Sequence, residues 1–275
     1  MKIPVIVKRE PLLADAGVSK LAKVTFARNP HAALLKEPKE FWDAIFVANE
    51  AYMLDETTHP RVRRKLAYDA TSHQLFLEYI EGATLQELVK AGVAVKDPAQ
   101  LHRLLRSVAE TVADLHAGIL CARPMVHNDL KSRNVLVPAA APRETLLIDF
   151  SHSYFEGTLP PVTADHQQRP VGTAKYMAPE KWDGDHTQGF KSDVFAFGVL
   201  AYYAYMGRHP FDGDLAQIEQ QIREVTPRTP IELGVNVLRN IIVIMMACLE
   251  KKPAQRPSME QVARCYAEST SLFEK

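Results

Sequence analysis

The apolar residues change their repeat once along this chain, close to Gly82, and that change limits what it can fold into. Before it, short β-branched or aliphatic segments separated by polar turns cover residues 3–7, 21–27, 32–35, 65–68 and 75–77. Such segments predict strands. One helix interrupts them, because Phe41, Trp42, Ile45, Phe46, Asn49, Tyr52 and Met53 recur near helical spacing behind Pro38. After Gly82 the repeat is helical. Leu101, Leu104, Leu105, Val108, Val112 and Leu115 form one stripe, and residues 85–89, 194–206, 215–225, 237–249 and 259–272 also predict helices. Only 135–137 and 146–148 predict strands there, and Pro160, Pro161 and Pro170 mark a turn-rich stretch. The segregation predicts an α+β chain of two lobes. A small β-rich N-lobe covers residues 1–80 and a larger α-helical C-lobe covers 81–275, with a connector near 78–82.

A chain of 275 residues buries a core without staples. Its three cysteines, Cys121, Cys248 and Cys265, are odd in number and lack CxxC spacing, which argues against a disulfide framework or zinc site. Lys and Arg number 33 and so do Asp and Glu, so formal net charge is zero. That excludes a broad field for nucleic acid or anionic lipid. The basic run Arg61, Arg63, Arg64 and Lys65 predicts a solvated face. The longest apolar run, 241–249, is too short to span a membrane, and Lys8, Arg9 and Glu10 break the N-terminal apolar run, making it a poor leader. A cytoplasmic setting is expected.

The chemistry-bearing residues lie mainly in the second lobe. His127-Asn128-Asp129-Leu130-Lys131-Ser132-Arg133-Asn134 places a carboxylate, a cation and an amide in one loop, and Asp149-Phe150-Ser151 begins fifteen residues after Asn134. Then come Gly172-Thr173-Ala174-Lys175-Tyr176-Met177, Ala178-Pro179-Glu180, Ser192-Asp193, Gly207-Arg208-His209-Pro210-Phe211 and Arg256-Pro257-Ser258. In order and spacing these pieces resemble the eukaryotic-like (Hanks-type) protein kinases of the Ser/Thr class. The altered motifs and Ala-rich style resemble a bacterial member. The resemblance spans about residues 10–270.

The resemblance implies a protein kinase-like fold with ATP between the lobes and a protein hydroxyl as phosphate acceptor. Asp129 would orient that hydroxyl, and Lys131 would add a cation near the transferring group. Asn134 and Asp149 would hold Mg²⁺, with Mn²⁺ as an alternative, since both offer hard oxygen donors. Lys36, at the end of Ala32-Ala33-Leu34-Leu35-Lys36, would touch the α- and β-phosphates and pair with Glu50. Leu77 would guard the back of the adenine pocket, the backbones of Glu78 and Ile80 would pair with the adenine edge, and Leu21, Ala33 and Leu136 would sandwich the ring. Thr173 would face the substrate. Asp193 and the Glu180–Arg256 pair would be architectural, and His127 would pack in a column with Leu54, Leu66 and Phe150.

Three departures stand out. The glycine positions of the phosphate-covering loop fall on Ala14, Ala16 and Ser19, with Gly17 between them, so nucleotide binding should weaken but survive. Ser151 replaces the Gly after Asp149-Phe150. Asn128 replaces the Arg that in the family binds an activation-loop phosphate, which predicts activity independent of that phosphorylation. Ser151, Ser153, Tyr154, Thr158 and Thr163 are candidate acceptors. Two other readings are a pseudokinase acting as a nucleotide-binding scaffold and a small-molecule phosphotransferase. No nucleic acid partner or membrane span is expected, the oligomeric state is not legible, and delivery into a host cell as an effector is an alternative to a cytoplasmic life.

Overall fold

The computed structural model describes residues 5–16, 19–27, 29–161 and 173–270. Strands β1 (Ile6–Ala16), β2 (Ser19–Phe26) and β3 (Asn29–Pro38) precede helix α1 (Ala44–Asp55), and β4 (Lys65–Asp69) and β5 (Gln74–Glu78) follow. The five strands form one antiparallel sheet in the order β1-β2-β3-β5-β4. Successive side chains point to opposite faces of a strand. Ala22, Val24, Phe26, Ala33, Leu35 and Phe76 therefore gather on one face. Leu34, Leu75 and Leu77 enter the main core on the other, together with Val47, Ala51 and Leu54 of α1.

Three sequence expectations need correction here. The first strand covers Ile6–Ala16 and so runs well past the expected 3–7, of which residues 3 and 4 lie outside the described residues. It is an edge strand, where Pro11 costs no central ladder bond and Lys8, Arg9 and Glu10 face water. Helix α1 begins at Ala44, because a capping box between Glu40 and Asp43 winds residues 41–43 into a tighter turn. Phe41, Trp42, Ile45 and Tyr52 are exposed, and the buried face is Phe46, Val47, Glu50, Ala51, Met53 and Leu54. Leu66 is also exposed. Its neighbour Lys65 turns inward to the Ala51 carbonyl and pairs with Asp55, so Leu66 turns outward and leaves the expected column.

The second lobe runs through β6 (Gly82–Thr84), α2 (Leu85–Lys90), α3 (Val93–Lys96), α4 (Pro98–Ala117), β7 (Met125–Val126), β8 (Val135–Pro138), β9 (Leu146–Leu147) and β10 (Tyr154–Phe155). Then come α5 (Pro179–Trp182), α6 (Gly189–Met206), α7 (Leu215–Glu224), α8 (Arg239–Cys248) and α9 (Met259–Ser269). Helix α4 starts where the Asp97 side chain accepts from the Gln100 amide at 2.8 Å and Pro98 takes the first turn; it ends at left-handed Gly118. Its predicted stripe is fully buried. Helix α6 is buried almost all round, the signature of a central helix. It approaches α8 so closely that a Cβ on Gly198 would lie 2.8 Å from the Cβ of Cys248. The short sheets β6-β8-β9 and β7-β10 hold the 127–134 loop between β7 and β8. One core runs from Leu34 to Tyr266 and joins the lobes.

The three cysteines are unpaired. Arg61 pairs with Glu110, Arg64 with Glu78 and Lys65 with Asp55, so most of the basic run is spent in ion pairs. Among the described residues no helix is long and apolar enough to cross a membrane.

Candidate active site

Lys36 lies two residues beyond Leu34 on β3 and so shares its face, toward α1. Its ammonium donates to Glu50 Oε2 at 2.5 Å and to Asp149 Oδ1 at 2.8 Å, linking the sheet, α1 and the 149–151 motif. Burial works to lower the pKa of this ammonium, but Asp149 and Glu50 outweigh it and raise the pKa. Burial likewise opposes ionisation of Asp149. Lys36 and Lys131, with hydrogen bonds from Lys36 and Ser151, hold its carboxyl well below the usual range. Both groups are charged at neutral pH.

Glu50 also accepts from the Phe150 amide at 3.3 Å. Beside it, Asn49 donates to the carbonyls of Phe150, Ser151 and Ser153 at 3.4, 3.1 and 2.9 Å. Helix α1 therefore grips the start of the activation segment through two side chains. The helical spacing marks Asn49 only as a helix-face residue and gives no sign of this grip. Ser151, in the glycine's place, donates to Asp149 Oδ1 at 2.7 Å.

Asp129 is buried and is met from two sides. Lys131 donates to its Oδ2 at 2.6 Å and Thr173 to its Oδ1 at 3.1 Å, while Lys131 also reaches the Thr173 hydroxyl at 3.0 Å. Burial opposes ionisation here too, and Lys131 leads the groups that lower the pKa. Asn134 Nδ2 donates to Asp129 O and Oδ2 at 2.9 and 3.1 Å, which leaves its amide oxygen as the end a cation can take. Among the described residues no group of three or more His, Cys, Asp or Glu side chains forms a metal cluster. Two oxygen donors, Asn134 and Asp149, suit a hard cation completed by phosphate oxygens and water, so these residues fit a divalent ion held with a nucleotide.

The loop carrying Asp129 is supported from below. Asp193 of α6 accepts from the amides of His127 and Asn128 at 2.8 and 2.9 Å and contacts His116 Nε2 at 3.0 Å. His127 packs at 4.9 Å against Phe150 with the rings tilted by 55°, and burial lowers its pKa, keeping it neutral. His127 and Phe150 are thus the part of the expected column in direct ring contact, as a packed histidine should be.

The remaining site residues fall as follows. Leu21 pairs with Lys36 across the strands and Leu77 with Leu34, so both share the face of Lys36. Ala33 does not: it lies on the opposite face, because it is an odd number of residues from Lys36. Leu136 turns away from Val135 and Val137, which enter the main core. The Glu78 amide is spent on the Arg64 carbonyl. Ile80 follows β5 in the connector. Ala14 and Ala16 belong to β1, and Gly17 lies outside the described residues. Ser19 is buried in β2 opposite Ala16 and Pro38. Of the candidate phosphate acceptors, Ser151, Ser153 and Tyr154 are buried, Thr158 is exposed, and Thr163 lies outside the described residues.

A β-lobe and a helical lobe that bring Lys36, Glu50, Asp129, Asn134 and Asp149 together where they meet have the architecture of a protein kinase domain. The family model described as protein kinase domain matches residues 33–265. The chain belongs to that family. Among its relatives are serine/threonine-protein kinase pkn2 of Myxococcus xanthus, 29% identical over 82% of this chain and 27% of that protein, and serine/threonine-protein kinase PkaA of Streptomyces coelicolor, 30% identical over 78% of this chain and 38% of that protein. Mitogen-activated protein kinase kinase kinase 7 of Homo sapiens is 28% identical over 78% of this chain and 34% of its own length. The chain spans about a third of the length of these relatives. The family uses ATP and a divalent metal.

Proposed function

We propose that this chain is a protein serine/threonine kinase domain that transfers the γ-phosphoryl of ATP to protein hydroxyls, with residues 1–80 and 81–275 as its lobes. The observation that carries the reading is Lys36 bonded to both Glu50 and Asp149, a set of long-range contacts with no structural necessity in a fold already cored by apolar residues. In this reading Lys36 positions the α- and β-phosphates, Glu50 holds Lys36, Asp129 orients the acceptor hydroxyl, and Lys131 and Thr173 fix Asp129 and the substrate strand. Asn134 and Asp149 hold Mg²⁺, which neutralises phosphate charge when bound. Mn²⁺ fits the same donors. The residues near the adenine are Leu21, Leu77, Glu78, Ile80 and Leu136, with Leu34 in the place expected of Ala33. Catalysis proceeds without activation-loop phosphorylation, in the cytoplasm.

The replaced glycines favour a second reading, a nucleotide-binding scaffold. Incubation of phosphatase-treated protein with radiolabelled ATP, Mg²⁺ and a generic protein substrate separates the two. Label on Ser or Thr that vanishes in Asp129→Asn supports the kinase. A nucleotide-induced rise in melting temperature with no label in either protein supports the scaffold, and label confined to a small molecule supports neither.

A further inference from the structure

Lys181 follows Glu180 directly, on the short α5, and is a lysine with only 5% of its surface exposed. Its ammonium donates to Asn128 O at 3.1 Å and to Asn128 Oδ1 at 2.6 Å. Asn128 Nδ2 in turn donates to the His152 carbonyl at 2.9 Å, and its amide donates to Asp193. All four polar atoms of Asn128 are therefore engaged. Its backbone is left-handed, φ 67°, a conformation that Asn adopts more readily than most residues. This is the residue immediately before Asp129.

A buried ammonium is costly unless compensated. Here Asp193, Asp129 and Glu180 surround it, although burial still lowers its pKa. A cavity of about 10 Å³ among Asn128, Asp129, Lys181, Ser192 and Asp193 lies directly beneath the catalytic loop. The contacts join three stretches distant in sequence: the start of the activation segment at His152, the catalytic loop at Asn128, and the end of the segment at Lys181. A loop arginine bound to an activation-segment phosphate would also tie the segment to the catalytic loop. Asn128 cannot do that, and Lys181 instead brings a cation to the same loop.

We propose that Lys181 is a positioning residue which, with Asn128, forms a built-in clamp holding Asp129 and both ends of the activation segment in working register without a phosphate. The proposal rests on the reading of Asp129 as the residue that orients the acceptor hydroxyl. Lys181→Met keeps the side-chain length and removes the charge. In phosphatase-treated protein its kcat should fall ten- to hundredfold, with the KM for ATP within twofold because Lys36 and Asp149 are untouched. Its Tm should fall, since two Asn128 acceptors and the neighbouring carboxylates lose their cation, so kcat is compared per folded molecule well below Tm. Asn128→Ala should lower kcat similarly, and the double variant should be no worse than the weaker single. A kcat within twofold of the parent, additive losses, or a loss that vanishes when counted per folded molecule would overturn the clamp. Hydrogen exchange reads it without turnover. The amides of His127, Asn128 and Asp129 should exchange at least tenfold faster in Lys181→Met, and unchanged protection refutes the clamp. If the parent protein transfers no phosphate at all, the kinase reading falls while the exchange result still decides this one.

Discussion

Removing the carboxylate of Glu180 should cost this chain a large part of its stability. Both oxygens face Arg256, Oε1 to Nη1 at 2.7 Å and Oε2 to Nη2 at 2.8 Å, with side chains 8% and 0% exposed. Arg256 also donates to the carbonyls of Glu250, Lys191 and Lys251 at 2.7, 2.9 and 3.0 Å. Ser192 Oγ donates to Glu180 Oε1 at 2.7 Å. In Glu180→Ala the guanidinium stays buried, held by three carbonyls but without a countercharge. Breaking one side of such a pair costs about 3–5 kcal/mol, a large share of a total of roughly 5–15 kcal/mol. At about 2 °C per kcal/mol for a chain this long, Tm should fall by about 6–10 °C. Glu180→Gln keeps the shape and part of the bonding and should lose about half as much. Glu180→Leu with Arg256→Met removes both charges and should recover much of the loss. Thermal unfolding followed by circular dichroism measures all three, and phosphotransfer per folded molecule should stay near the parent's. A single variant within about 2 °C of the parent, or a double variant showing the full additive loss, would refute the reasoning.

Two further outcomes are expected. Lys36→Ala should lower kcat/KM per folded molecule by about 10²–10³, the usual consequence of losing one preorganised charge-stabilising donor; unchanged turnover would show that another lysine holds the phosphates. Burial lowers the pKa of His102, His127, His152, His186 and His209, the last to about 4. The folded chain keeps these rings neutral while the unfolded chain protonates them below about pH 6.5. Their contribution is therefore complete above pH 6.5 and lost as pH falls toward 4. The urea midpoint should drop across that window and drop less in His209→Phe, and a flat midpoint from pH 7 to 4.5 contradicts this.

Local pattern carried much of the fold and order of motifs carried much of the site. The α4 stripe was legible because one helix face is wholly buried, and the register from Lys36 to Glu50 was legible because both sit at fixed offsets from neighbouring motifs. The edge strand β1 was not, since its charged residues face water and hide the alternation. Ala33 and Leu66 were misread for one reason: strand residues one apart face opposite ways, so an error of one residue moves a side chain to the wrong face. Asn49 and Lys181 act through bonds to residues about 50 to 100 positions away. In sequence they are an ordinary helix amide and an ordinary lysine, and nothing local marks the reach of the first or the burial of the second.

The two sides of the cleft are not built alike, and the asymmetry bears on what the chain is for. Below, the catalytic loop is tied by Asp193, by Lys181, by the Ser153 hydroxyl on the His127 carbonyl at 2.9 Å and by Tyr176 against the Ser132 hydroxyl at 3.0 Å. Above, the hairpin that would cover the phosphates has Ala14, Ala16 and a buried Ser19 where flexible glycines would let backbone amides approach. A protein that only held a nucleotide would need the upper side and gain nothing from fixing Asp129. A hairpin that grips the phosphates less closely weakens substrate and transition state together, so it raises KM and leaves kcat to the anchored loop.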